Sequence, residues 1–308
     1  MTTPTVPVIA PAAVPVIVIG SVNVDLVAVG GRMPRPGETV SMERFAEVQG
    51  GKGGNQASAA AALGAHVHFV GAVGSDHWGT AARDDLSARG IDVSGLATVE
   101  GATGVAIILV DDSGENSIAI VPGANAAVSP AAVEAALAAI EAEDAVVVAC
   151  LEIPLESVQA AARAAERRGW RFVLNPAPAP SGGLPAELVA AASVITPNET
   201  EVEVLGGVSV LLVAGAGAVV VTRGGDGTDL HLRGTEVARL DASRASVVDT
   251  TGAGDAFTAA LAVGLANGRE LVDAVRWASA AGAIATEGFG ARGSLATAAQ
   301  VEERLTQN

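Results

Sequence analysis

The chain has 308 residues, with 18 Lys and Arg against 34 Asp and Glu, a formal net charge of −16. That balance excludes a binder of nucleic-acid backbone, which needs clustered cations; a phosphate-bearing small molecule can still be held by local backbone N–H groups. With 50% hydrophobic and 17% charged residues, the chain is too apolar for disorder and long enough to bury its own core.

The first fifteen residues, MTTPTVPVIAPAAVP, hold four prolines and no Lys or Arg. They read as a loose tail rather than a secretory signal, which starts with cations, so the cytoplasm is the expected compartment and the domain spans 16–308. The uncharged stretch up to Val24 is broken by prolines, and that of 204–222 by Gly206, Gly207, Gly215 and Gly217. Neither reads as a membrane span. VIVIG (16–20), HVHFV (66–70), AVVVAC (145–150), RFVLN (171–175), SVIT (193–196) and AVVVT (218–222) have the continuous apolar character of strands buried on both faces. Between them, 55–63, 79–89, 130–142, 155–168 and 185–192 are Ala-rich with helical spacing. This alternation predicts an α/β fold, a mainly parallel sheet flanked by helices on both faces. Residues 36–49 and 103–121 break the rhythm. They read as antiparallel strands on one side of the main sheet, the second region folding about the turn DDSGEN. They form either a small lid over a cleft or an extension of the sheet edge. Residues 253–286 read as two helices separated at Asn267-Gly268. Cys150, the single cysteine, reads as a core residue. His66, His68, His77 and His231 have no metal-ligand spacing and read as structural.

Five motifs carry chemistry. In VVDTTGAGDAFTAALA (247–262) a strand is expected to end at Asp249, followed by a glycine turn and a helix. Free N–H groups at such a helix start, reinforced by the helix dipole, make an anion site. Asp255 beside it is suited to take a proton from a hydroxyl attacking phosphorus, or is an acidic first-turn residue favoured by the dipole. VQGGKGGNQASAAAALGA (48–65) surrounds Lys52, the only lysine, with four glycines but lacks the P-loop spacing. Its Lys52 and Asn55 suit contact with a polyol, or the segment is a flexible turn with an exposed lysine. In GSVNVDLV (20–27), Asn23 and Asp25 either line one side of a strand or serve an Asx turn. TPNETE (196–201) opens a helix with acidic residues that either serve the dipole or hold Mg²⁺ through water. VVVTRGGDG (219–227) is a strand ending in a glycine loop, by itself a weak signal for a nucleotide.

Taken in order, VIVIGSVNVDLV, GGKGGNQASAAAALGA with VGAVGSDHWG, LEIPLESV, TPNETE and DTTGAGDAFTAAL resemble the ribokinase family of the phosphofructokinase-B-type sugar kinases. The resemblance runs from Val16 to about Val301. It implies transfer of the γ-phosphoryl group of ATP to O5 of D-ribose, with Mg²⁺ required and K⁺ activating. By motif position it makes Asp255 the base and the Gly252, Ala253 and Gly254 backbone the anion hole. Asn23, Asp25, Gly51, Lys52, Gly53, Gly54, Asn55 and Glu152 are then expected at the sugar. Asn198, Thr222, Arg223, Gly224, Gly225, Asp226, Gly227 and Ser279, with Gly254, are expected at the nucleotide. Glu201 is expected near Mg²⁺ through water, and Asp249, Thr251, Ala285, Gly288, Gly290 and Ser294 around K⁺. The irregular strands are then the lid and the contact of a homodimer. A different acceptor sugar or nucleoside is the alternative, and a non-catalytic sugar sensor the minor one. Two positions depart from the family. The stretch 204–218 is short, so an outer helix is expected to be shortened or lost, and Gly54 stands where Ala is common.

Overall fold

The computed structural model describes residues 14–234 and 238–307. Most of the expected N-terminal tail therefore lies outside the described residues. In chain order the elements are β1 (Val16–Ile19), β2 (Asn23–Val29), β3 (Arg44–Gly50), α1 (Lys52–Ala62), β4 (Val67–Gly74), α2 (His77–Ala88) and β5 (Asp92–Val99). There follow β6 (Gly104–Val110), β7 (Asn116–Val121), α3 (Pro130–Ala139), β8 (Val146–Cys150), α4 (Leu155–Arg168), β9 (Arg171–Asn175), α5 (Ala186–Ala191) and β10 (Val194–Ile195). The last are α6 (Glu199–Val204), α7 (Val208–Ala214), β11 (Ala218–Thr222), β12 (Thr228–Leu232), β13 (Ala238–Leu240), α8 (Ala253–Ala266), α9 (Leu271–Ala285) and α10 (Ala298–Gln307).

The main sheet has the strand order β13-β12-β11-β10-β9-β8-β1-β4-β5, parallel from β11 through β5, with β12 and β13 antiparallel at one edge. The chain runs outward from β1 through β4 to β5, then returns to β8 on the other side of β1. Strand order thus reverses beside β1, where open α/β sheets place their ligands, beyond the carboxyl ends of the strands. Period-two alternation divides the core. Val16 and Val18 of β1 join the helices α1, α8 and α9 on one face, and Ile17 and Ile19 join α3, α4 and α5 on the other. Helix α8 is buried from Asp255 to Ala266, as its unbroken apolar sequence requires. A Cβ on Gly282 of α9 would lie 3.2 Å from the Ala253 carbonyl, so that glycine lets α9 press against the start of α8. Among the described residues no helix is long and apolar enough to cross a membrane.

A second sheet, in the order β3-β2-β6-β7, stands apart from the first. It differs from expectation in two ways. Residues 36–43 form no strand, and β2, which carries Asn23 and Asp25, is its central strand, paired with β3 and β6. The strand reading of Asn23 and Asp25 therefore holds over the Asx turn, but the sequence did not show that this strand belongs to the second sheet. The turn DDSGEN joins β6 to β7 as expected, with Asp111 accepting from the backbone of Ser113 and Glu115. No strand precedes Asp249. Val247 and Val248 have no strand to pair with and stand over 60% exposed. The outer helix at 204–218 is shortened rather than lost: α7 buries Leu211 and leaves Val213 85% exposed. His66 and His68 stack edge to face, and His68 pairs with Asp92 at 3.0 Å.

Candidate active site

Gly51, at φ 83°, turns the chain from β3 into α1 in a conformation that L side chains rarely adopt. A Cβ on Gly53 would sit 2.7 Å from Gly20 backbone, so both residues must be glycine for α1 to start against the end of β1. This contact aims the first turn of α1 at the ends of β1, β8 and β9. The Lys52 N–H donates to Glu152 Oε2 at 2.9 Å, and the Ser21 hydroxyl donates to the same oxygen at 2.5 Å. The Gly53 and Gly54 N–H groups turn inward to the Ser21 side chain and carbonyl, so neither is presented to a ligand. Asn23 is buried and accepts from Asn125 Nδ2 at 2.8 Å.

Asp255 lies in the first turn of α8 and is 7% exposed. Asn55 Nδ2 donates to its Oδ2 at 3.0 Å, and Gln56 Nε2 donates to its Oδ1 at 3.1 Å. Gln56 Nε2 also reaches Asn175 Oδ1 at 3.2 Å. Two amides on consecutive residues of α1 therefore fix both oxygens of one carboxylate. The Gly252 N-cap, at φ 78°, turns the Gly252 and Gly254 backbone beside it, but the Ala253 N–H expected in an anion hole donates instead to the Thr250 carbonyl at 3.2 Å.

Two adjoining cavities meet here, sharing Thr222 and Gly254. The smaller, of about 170 Å³, brings together Lys52, Asn198, Glu201, Thr222, Gly252, Gly254 and Asp255, with Asn175, Thr196 and Thr258. The larger, of about 560 Å³, is lined by Thr222, Gly224, Gly225, Gly227, Ala253, Gly254 and Ser279, the loop 242–247, Phe257 and Ala283. A cavity of about 1050 Å³ opens at the amino end of β1 and β4, the opposite end of the sheet from these residues. It holds none of the motif residues.

The charges in the site are opposed in pairs. Burial disfavours the Lys52 ammonium, but Asp255, Glu152 and Glu201 around it more than compensate and hold its pKa above the usual lysine value. Burial, then Glu152 and Asp255, push the Asp25 carboxyl up to about 6, against the pull of Arg292. Burial draws Arg292 down to about 10, which leaves it cationic at neutral pH.

The loop residues expected around a monovalent cation also gather. Asp249 Oδ1 accepts from Thr251 N–H and hydroxyl at 2.9 and 2.7 Å, and its Oδ2 from Gly290 N–H at 2.8 Å. Gly288 packs on Ser294, and Ala285 closes α9 beside them. A Cβ on Gly252 would lie 2.7 Å from Ala291, so this loop packs directly on the turn before Asp255. Among the described residues no cluster of three His, Cys, Asp or Glu exists for a transition metal. A carboxylate with hydroxyl and carbonyl oxygens suits a hard cation instead. Glu201 and Asn198 cap α6 reciprocally through one Glu201 oxygen. Glu201 also lines the small cavity.

Three expected nucleotide residues stand outside the larger cavity, Asn198 lining only the smaller one. Arg223 is drawn away by Glu199 and Asp229, at 2.8 and 3.0 Å, and Asp226 is exposed. The sequence reading missed Gln56, Asn175, Thr196, Thr258, the loop 242–247 and Arg292. Gln56, Thr196 and Thr258 lie inside motifs already singled out and were the most accessible of these, whereas Asn175, Arg292 and most of the loop 242–247 lie in segments with no motif.

The chain is similar to known proteins over nearly its whole length. The family model described as pfkB family carbohydrate kinase matches residues 15–298. A ribokinase of Bacillus subtilis (strain 168) is 39% identical over 292 residues, covering 94% of this chain and 98% of that protein. The structure of Arabidopsis thaliana ribokinase complexed with ribose and ATP superposes with a TM-score of 0.84 at 30% identity, covering 95% of this chain and 99% of the other. Ribokinase from Thermotoga maritima superposes with a TM-score of 0.85 at 31% identity, with 95% and 99% coverage.

Proposed function

The chain belongs to the pfkB family of carbohydrate kinases, and we propose that it is an ATP-dependent ribokinase that phosphorylates O5 of D-ribose. The observation that carries this reading is Asp255: a carboxylate held at both oxygens by Asn55 and Gln56, lining the smaller cavity next to Gly254, where the two cavities meet.

In this reading the sugar lies against Asn23, Asp25, Asn55 and Glu152, with O5 toward Asp255. Base, hydroxyl and phosphorus are then in line. As the O5–P bond forms, the hydroxyl proton passes to Asp255 and the bond to the ADP oxygen breaks. Charge developing on the transferred group meets the N–H groups of Gly252 and Gly254 and the Lys52 ammonium. Lys52 serves both sides, its backbone fixing Glu152 and its side chain lining the small cavity. The nucleotide lies in the larger cavity along Gly224, Gly225, Gly227 and Ser279. Glu201 and Asn198 are placed to hold Mg²⁺ through water, and that ion offsets phosphate charge when bound. Asp249, Thr251, Ala285, Gly288, Gly290 and Ser294 would hold K⁺, whose charge would help to order the loop that packs on Gly252. The second sheet acts as a lid that keeps water from competing with the sugar. Its edge strand β7 is exposed along its whole length, with Ile118, Ile120 and Val121 outward, which supports a homodimer through the lids. An enzyme consuming ATP in sugar metabolism belongs in the cytoplasm.

The test is ADP formation from Mg-ATP with D-ribose, with and without K⁺, beside 2-deoxyribose, fructose and adenosine. Ribose turnover that rises with K⁺ is the expected result. Faster turnover of another acceptor would reassign the pocket, and no turnover of any would overturn the kinase.

A further inference from the structure

Arg292 belongs to none of the motifs, yet its side chain is only 6% exposed and reaches three elements at once. Its Nε donates to Asn55 Oδ1 at 3.0 Å, its Nη1 to Asp85 Oδ2 at 2.7 Å and its Nη2 to the Gly50 carbonyl at 3.2 Å. Asn55 is the first amide on Asp255. Gly50 is the last residue of lid strand β3, and Asp85 lies in α2. Arg292 itself sits between Gly290 and Ser294, in the loop that packs on the anion-hole turn.

We propose that Arg292 is a positioning residue of the sugar pocket, fixing the Asn55 amide toward Asp255 and tying the base of the lid to the loop 288–294. The proposal rests on the sugar-kinase reading for its kinetic consequences, and on geometry alone for its structural ones. An amide can present oxygen or NH₂ to a neighbour, and nothing in Asn55 chooses between them. A guanidinium has only donors, so it takes the Asn55 oxygen and leaves the NH₂ group for the carboxylate of Asp255. Reversal would set NH₂ against guanidinium and oxygen against carboxylate, two repulsive contacts in a buried place.

Gly54 makes this arrangement possible. A Cβ there would overlap Nη2 of Arg292, and the guanidinium cannot retreat without leaving Asn55, Asp85 or Gly50. The departure at Gly54 and the guanidinium at 292 are therefore one feature. Arg292 also supplies the positive charge facing Asp25, whose other charged neighbours, Glu152 and Asp255, are both acidic. Asn23, on the same strand, is neutral. Loss of Arg292 leaves Asp25 among like charges, so it holds its proton to higher pH.

The experiment combines Arg292→Met, Arg292→Lys and Gly54→Ala with two readouts. Asp85 keeps Arg89 as partner in the Arg292 variants, which favours retention of the fold. In the first readout, carbon-13 carboxylate NMR follows the Asp25 titration without substrate. Its midpoint should shift upward in Arg292→Met and stay in place in Arg292→Lys. In the second, kcat/KM for ribose should fall about ten- to a hundredfold in Arg292→Met, the scale of a lost charge-assisted hydrogen bond. Its acid limb should move to higher pH in Met but not in Lys. Gly54→Ala should reproduce part of the loss, and its effect should shrink in the Arg292→Met background. An Asp25 midpoint and acid limb unchanged in Arg292→Met, with only Tm lowered, would overturn the proposal. If the wild-type protein does not turn over ribose, the ribokinase reading fails, and the Asp25 titration alone decides on Arg292.

Discussion

The buried Asp25 carboxyl carries a cost to the fold that depends on pH. In an unfolded chain its carboxyl ionises near its ordinary value of 3.8, whereas in the folded protein burial and two acidic neighbours raise that to about 6. The folded state therefore holds the proton more tightly. Between about pH 4 and pH 6 stability falls as pH rises, and above pH 6 the full cost is present. At about 1.36 kcal/mol for each tenfold change in proton affinity, the cost is about 3 kcal/mol at pH 7.5. Asp25→Asn keeps the size and shape and removes the charge. It should stabilise the protein by up to about 3 kcal/mol at pH 7.5, raising Tm by about 5 °C, with the gain fading toward zero below pH 4. Urea unfolding of both proteins at pH 7.5 and pH 4 measures the difference, read from the midpoint at constant m. The same variant should lose sugar affinity, because the carboxylate that accepts from sugar hydroxyls is gone. A variant no more stable than wild type at pH 7.5, or equally stabilised at both pH values, would refute the reasoning.

Other substitutions separate the parts of the site. Asp255→Asn should lower kcat about 10²–10⁴-fold, the usual worth of a general base, while calorimetry finds ribose and ATP binding within a few-fold of wild type. Asp249→Ala should abolish the response of kcat to K⁺, since it removes the carboxylate that bridges Thr251 and Gly290; a titration of rate against K⁺ reads this directly. Gly252→Ala places a Cβ against Ala291 at a positive φ and should reduce kcat more than it raises KM, as steady-state kinetics would show. Ile118→Asp with Ile120→Asp should convert a dimer to a monomer in light scattering, with the fold intact by circular dichroism.

How much of this was legible in the sequence followed from what each residue packs against. Strands β1, β8, β9 and β11 are buried on both faces, so their apolar runs announced them. Helix α4 matched its expected bounds of 155–168 because an amphipathic face lies on one side of a sheet. Strand β2 was legible only as one of two readings of Asn23 and Asp25, because two polar residues in alternation suit a strand and an Asx turn alike, and its place in the second sheet was not legible. Val247 and Val248 misled for the converse reason: two β-branched residues imitate a strand, but here Val247 lines a cavity mouth. The site divides in the same way. Asp255, Lys52 and Asn55 sit in glycine-marked turns whose backbone geometry constrains the sequence around them, and the glycines are visible. Asn175 and Thr196 are polar residues at the ends of apolar strands and Thr258 is one inside α8, and only the fold shows that they converge. Arg292 is the extreme case. It is separated from Asn55 by 237 residues, and the loop carrying it has no periodicity. Its only trace elsewhere in the chain is a missing methyl group at Gly54. A glycine for alanine reads locally as a loosened turn, yet in the folded protein it is space taken up by a charge from the other end of the chain. Departures from a motif are best read as space before they are read as flexibility.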